Sequence, residues 1–336
     1  MPNSSLLSRT LQACIPVLAV GIVSLASAVA ADAPLVAGKP MLVPESKGGF
    51  DYLEFDDANR RLLADHPGNG TLDVIDGDSG KLIKHVPTGA SQSVAIDAEA
   101  GRYYAGVSRE KIVAVVDMKT LEKVGEYSIG GPADAMVLDP KNHNLYVDHD
   151  DGKDVWVLDS KTGKLVGTVA IEEAPEYVVY DPASDQIFQN IKSNGTVAVI
   201  DPATNKVKTT WKTDPAANPH GLALDGKTRR LFSAGGNGTL VVMDADSGKV
   251  LSTVPIAKGV DQIAFDPSNQ RIYCAAGGAG VVTVLQETEK GVESLGDVKT
   301  ATGAHTVTVD PKTHAVWVAY TERESGKSYV LRLEAK

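Results

Sequence analysis

The stretch RRLFSAGGNGTLVVMDADSGKVLSTVPI, Arg229–Ile256, decides the fold. Short runs rich in Leu, Val and Ile are separated by GGNGT and by DADSGK. Apolar runs of this length, bounded by such turns, read as strands. Asn-Gly accepts the positive φ angles that a tight hairpin needs. Just upstream, LALD supplies one more run, ending at Asp225. Four antiparallel strands in about 40 residues make one blade of a β-propeller.

The same unit recurs along the chain. The phrase apolar-x-apolar-Asp ends at Asp56, Asp97, Asp139, Asp181, Asp225, Asp266 and Asp310, at spacings of 41, 42, 42, 44, 41 and 44 residues. Each instance is followed by a run with a large apolar residue, such as GRYYAGV, HNLYVDH or QRIYCAA. A polar turn, a third run such as VAVVD or VWVLD, a second turn and a fourth run complete the unit. Seven units predict an all-β, seven-bladed propeller with four antiparallel strands per blade. The last unit has room for only three strands after Asp310. PLVAGKPMLVPE, residues 34–45, precedes the first unit. The N-terminal strand is therefore expected to pair beside SYVLRLEA and close the ring, leaving no open blade junction.

On these residues a resemblance can be named. SNGTVAVIDPATNKV and NGTLVVMDADSGKVLSTVPI resemble the repeat of YVTN-type β-propellers, and the whole arrangement is similar to exported YncE-like proteins. The chain departs from the literal YVTN: in LYVDHD, Asp148 and His149 stand where Thr and Asn would be. The resemblance implies a binding propeller of the surface-layer or periplasmic kind. It also raises single-stranded DNA binding, and more distantly propellers that hold redox cofactors.

The N-terminus stands apart. Arg9 precedes the apolar run LQACIPVLAVGIVSLASAVA, which ends in the small-x-small pattern Ala28–Ala30. Residues 1–30 therefore read as a cleaved secretory signal, the run being short for a membrane anchor. Residues 31–336 read as a single propeller domain, periplasmic or secreted, monomeric and without a membrane span. Removing residues 1–30 takes away Arg9 and no acid, so the net charge moves from −10 to −11. That field opposes nonspecific attraction to nucleic acid. Cys274 is the one cysteine beyond the signal, so the domain has no internal disulfide. NGT at Asn69, Asn194 and Asn237 reads as a hairpin turn at one repeat position, not as a glycosylation acceptor.

Candidate functional residues come from comparing equivalent positions. Five residues before each anchoring Asp lie Asp51, Gln92, Asp134, Glu176, His220, Asp261 and His305. All seven are polar, whereas positions one and three before the Asp are always apolar. The expectation is a polar ring around one mouth of the central channel, holding a small ligand, a metal ion or a protein partner. Glu176, His220, Asp261 and His305 are the candidate ligands for a divalent metal, since carboxylate and imidazole together suit one. Strand entrances facing solvent are also polar for solvation alone, and the pattern is compatible with both origins. A second set, three residues past the large residue of the second strand, contains His66 and His149, each preceded by an Asp. These two join the ligand-binding candidates on the same face, with exposed loop histidines as the alternative.

No C-x-x-C-H, H-E-x-x-H or G-x-S-x-G occurs, so no residue is assigned a catalytic role. The leading expectation is a non-catalytic binding propeller or scaffold. The alternatives are a metal- or cofactor-dependent enzyme of lactonase, lyase or dehydrogenase type using the same face, and single-stranded DNA binding.

Overall fold

The structure, a computed structural model, describes residues 33–336. The expected signal at residues 1–30 lies outside the described residues. The described chain forms seven antiparallel sheets and no helix. Blade 1 contains Tyr52–Asp56, Arg61–His66, Thr71–Asp76 and Leu82–Val86, running from the innermost to the outermost strand. The innermost strands of blades 2 to 7 are Ser91–Asp97, Ala133–Asp139, Pro175–Asp181, Pro219–Asp225, Val260–Asp266 and Thr306–Val309. Each blade steps outward in sequence order.

The N-terminus closes the ring as expected. Leu35–Ala37 pairs with Leu333–Ala335, and Met41–Val43 pairs with Ser328–Val330. Gly38, Lys39 and Pro40 interrupt the strand between these two pieces. Both outer-strand pieces thus come from the opposite end of the chain.

The repeated Asp has a double task. Asp56, Asp97, Asp139, Asp181, Asp225, Asp266 and Asp310 are all buried. Each accepts hydrogen bonds from the turn that follows it, as Asp225 does from the Lys227 amide at 2.8 Å and the Thr228 hydroxyl at 2.7 Å. This is the Asx-type turn that makes Asp the favoured residue there. Four residues past each Asp the backbone is left-handed, at Arg60, Gly101, His143, Asp185, Arg229, Gln270 and His314. Several anchors also take a group from the next blade. The Tyr103 hydroxyl donates to Asp56, Arg229 lies 2.7 Å from Asp181, and His314 Nδ1 lies 2.7 Å from Asp266. Across the closing junction, Arg60 donates to both oxygens of Asp310 at 2.6 and 2.5 Å.

Apolar packing follows the same geometry. Side chains alternate along each strand, so each blade sends one set toward each neighbour. Seven apolar cores result, one at every blade junction. The core between blades 7 and 1 joins Trp317, Ala319 and Val330 to Leu53, Phe55 and Leu62. Trp211 belongs to this framework. Its ring covers Gly248, in a turn of the next blade, so closely that a Cβ there would lie 2.2 Å from it. Gly248 also has φ +71°, which only glycine adopts without cost.

Candidate functional site

Five of the seven ring positions are aimed by a backbone irregularity. In blades 3 to 6 three steps along the innermost strand oppose two on its partner; in blade 2 two steps oppose one. In blade 4, for example, Pro175 faces Ile191 and Val178 faces Gln189. A bulge of this kind re-aims the extra residue and bends the strand. The bulged residues include Gln92, Asp134, Glu176, His220 and Asp261. Asp51, Gln92, Asp134, Glu176, His220 and Asp261 line one cavity of about 260 Å³ at the channel mouth. His305 joins through Asp261. All seven are partly buried.

Asp261 is the hub. His305 Nδ1 lies 2.6 Å from its Oδ2, and His220 Nδ1 lies 3.4 Å from its Oδ1. His220 Nδ1 also lies 2.7 Å from Glu176 Oε1, and Lys192 Nζ is 2.8 Å from Glu176 Oε2. Ligand atoms of Glu176, His220 and Asp261 all fall within 4.8 Å of one another. His220 and His305 thus meet through a shared carboxylate and not face to face.

The electrostatics follow from crowding acids in a half-buried site. Burial, with the nearby Asp261 charge, pushes Asp51 up to about 7. Burial and Glu176 push Asp134 well above the usual carboxylate range, and Asp150 is raised by the same two causes. At Asp261 burial acts upward, but the His220 and His305 imidazoles outweigh it and hold the acid low. Burial opposes the charged form of His220, yet Asp261 and Glu176 prevail and raise it to about 9. The mouth is a cage of acids partly balanced by one lysine and two imidazoles.

Below the cage a septum crosses the channel. Gln262 accepts from the amides of Leu53 at 3.1 Å and Val307 at 3.0 Å, and donates to the Leu53 carbonyl at 2.8 Å. It thereby ties blades 6, 7 and 1 together. The Tyr177 hydroxyl donates to that of Tyr52 at 3.0 Å, with their rings stacked.

His66 and His149 do not belong to the cage. His66 is fully buried and stacked on Phe50, with Nδ1 2.8 Å from Asp73 and Nε2 2.9 Å from the Gly48 carbonyl. Both ring nitrogens are occupied, one within blade 1 and the other on the segment that precedes it. His149 stacks on Trp156 and pairs with Asp154 at 2.7 Å and Asp151 at 3.2 Å, away from the cavity lining. The residues one step further along, Asp150 and Lys192, line the cavity instead. Successive strand residues point to opposite faces, so an offset of one residue selects the wrong set. The signal that finds Lys192 is that same repeat position, counted one residue later.

Residues 193–327 match the family model described as outer membrane protein assembly factor BamB. No curated protein matches the chain. Among solved structures, hydrazine synthase from Kuenenia stuttgartiensis superposes with a TM-score of 0.73 at 15% identity, covering 84% of this chain and 95% of that one. The RRP9 WD40 repeats give 0.76 at 10% identity, with 90% and 99% covered. A chain of the mitotic checkpoint complex gives 0.75 at 14% identity, with 98% and 99% covered. Identities this low speak to fold alone. Blade count, ring closure and these matches make this chain a β-propeller repeat protein.

Proposed function

We propose that this chain is an exported, YncE-like binding propeller whose acidic channel mouth holds a small cation, a divalent metal ion fitting best. The reading is carried by one observation: Glu176, His220 and Asp261 bring ligand atoms within 4.8 Å of one another at a cavity of about 260 Å³. Two carboxylates and an imidazole suit zinc or copper, with His305 close enough through Asp261 to assist. The surrounding Asp51, Asp134 and Asp150 add negative potential that draws a cation in. Lys192, paired with Glu176, is the internal cation that a metal displaces. Binding at the mouth needs no catalytic group, in keeping with the absence of any catalytic motif. Export rests on the N-terminal apolar run and its cleavage pattern, and no helix among the described residues is long and apolar enough to cross a membrane.

Zinc dialysis tests this. Purified protein equilibrated with Zn²⁺ and dialysed at pH 8 should retain one ion per chain, and the H220A/D261N double variant should retain none. Retention should tighten by roughly tenfold per pH unit between 7 and 9, because the ion displaces a proton from His220. Protein that holds no zinc, copper or calcium, and whose unfolding is unmoved by them, rules the reading out.

A further inference from the structure

On the far side of the septum the channel widens into a second chamber of about 790 Å³. It opens on the face where the innermost strands end, beside Pro182, Pro267 and Pro311. Its walls are largely aliphatic, among them Val137, Val179, Leu222, Ile263 and Ala264. The volume falls within the roughly 300–1,000 Å³ typical of small-molecule sites.

Midway along the innermost strands one carboxyl interrupts the lining. Two positions before the anchoring Asp, six blades carry Ala95, Val137, Val179, Ala223, Ala264 and Thr308; blade 1 carries Glu54. The fold has no use for a carboxyl there, as the other six blades demonstrate. Glu54 has few partners: the Tyr52 hydroxyl and its neighbouring Phe55 amide, each at 3.3 Å. It sits beneath the septum, where Tyr52 and Tyr177 present aromatic rings to the same space. Asp225 and Lys227 lie at the outer end of the chamber.

We propose that this chamber is a second binding site, for an organic amine with an apolar body, the ammonium seated on Glu54 beneath Tyr52 and Tyr177 and the hydrocarbon filling the channel. An under-partnered carboxyl and two aromatic rings are complementary to an ammonium group, which they attract by charge and by the ring faces. A carbon chain supplies what the aliphatic walls need and a hydrated metal ion does not. Burial pushes the Glu54 carboxyl up to about 7, against the smaller lowering effects of the Phe55 amide and the Tyr52 hydroxyl, with Asp56 raising it further. Asp65 on the second strand and Tyr177 across the channel also face it, and burial disfavours the charged form of both. A cation seated there favours the ionised carboxyl, which pH 8 already populates. This site does not depend on the metal reading of the opposite mouth.

The experiment is calorimetric titration of the purified protein at pH 8 with butylamine, pentylamine and hexylamine, and with hexanol as the uncharged control. Each added methylene should tighten binding about fourfold. Hexylamine should bind about tenfold to a hundredfold more tightly than hexanol, and E54Q should erase that preference while leaving hexanol unchanged. D261N, at the other mouth, should leave hexylamine binding intact. Intermolecular NOEs on the wild-type protein should join the alkyl chain to the Val137, Val179 and Ala264 methyls, a readout that needs no variant. Affinity independent of chain length, loss in D261N in place of E54Q, or NOEs to Ala135 at the acidic mouth would overturn the proposal.

Discussion

At His220 two carboxylates converge on one ring nitrogen, while in the same cavity Asp51 and Asp134 carry carboxyls that resist ionisation. The same crowding causes both effects: each acid stabilises the imidazolium and penalises its fellow acids. A ring built this way costs stability in the unligated protein. Asp51 gives the sign. Its folded value, about 7, lies above the ordinary carboxylate value, so between pH 4 and 7 the folded state holds a proton that the unfolded state has lost. Stability therefore falls as pH rises through that window and levels off above it. Asp51→Asn should remove the penalty, stabilising the unligated protein by about 2 kcal/mol at pH 8 and leaving it unchanged at pH 3.5. Urea unfolding at the two pH values checks this; an Asn variant less stable at pH 8 would mean that Asp51 is a structural partner of the ring. His220 slopes the same way at higher pH: its stabilising contribution is complete below about pH 6.5 and is lost as pH rises through about 9. Glu54 shows what a repeat reveals at this scale. A residue that one blade carries and six do not is placed by something other than the fold.

At the scale of the strand and the turn, the repeated Asp adds polar ties to the apolar packing that holds neighbouring blades together. It closes its own turn and, in four blades, receives a group from the next. Arg60 is the most consequential of these groups, because it joins blade 1 to Asp310 of blade 7 across the closing junction. Burial of Asp310 is outweighed by Arg60 and the Thr313 hydroxyl, which hold the acid down to about 2. Arg60→Met should therefore destabilise the protein by about 2–3 kcal/mol at pH 7. Differential unfolding of Arg60→Met and Arg229→Met should give the larger loss for Arg60, since Arg60 grips both oxygens of Asp310 whereas Arg229 brings a single nitrogen, at 2.7 Å, to Asp181. A loss near zero for Arg60 would show that apolar packing alone closes the ring. The strands themselves were legible from sequence, because alternation and Asn-Gly turns are local signals. The bulges that aim most of the ring residues were not, since nothing in a run such as PHGLALD marks where two residues oppose one. That is why the ring positions could be listed but His66 and His149 were placed with them. Counting along a strand gives position, whereas facing depends on register. Lys192 and Glu54 were missed for a related reason: each is visible only when its own repeat position is compared across all seven blades.

At the scale of the whole molecule, the ring is a channel with two unlike ends divided by the Gln262–Tyr52–Tyr177 septum. The period predicted this body well: blade count, strand order and closure by the N-terminal strand all follow from spacings of 41 to 44 residues. What the period does not contain is the chemistry of the channel, which is written in departures from the repeat. Closure has its own test. Deleting residues 33–44 strips both outer-strand pieces from Ser328–Ala335 and leaves an open edge. The truncated chain should oligomerise on a sizing column and return to monomer when the 33–44 peptide is supplied in trans; a truncated chain that stays monomeric and equally stable would show that closure is dispensable. The central claim, a cation held at the acidic mouth, is tested most directly by anomalous diffraction at the zinc edge from crystals grown with Zn²⁺. The account predicts one strong peak bounded by Glu176, His220 and Asp261. Zinc-loaded crystals whose anomalous peaks all lie elsewhere would contradict it.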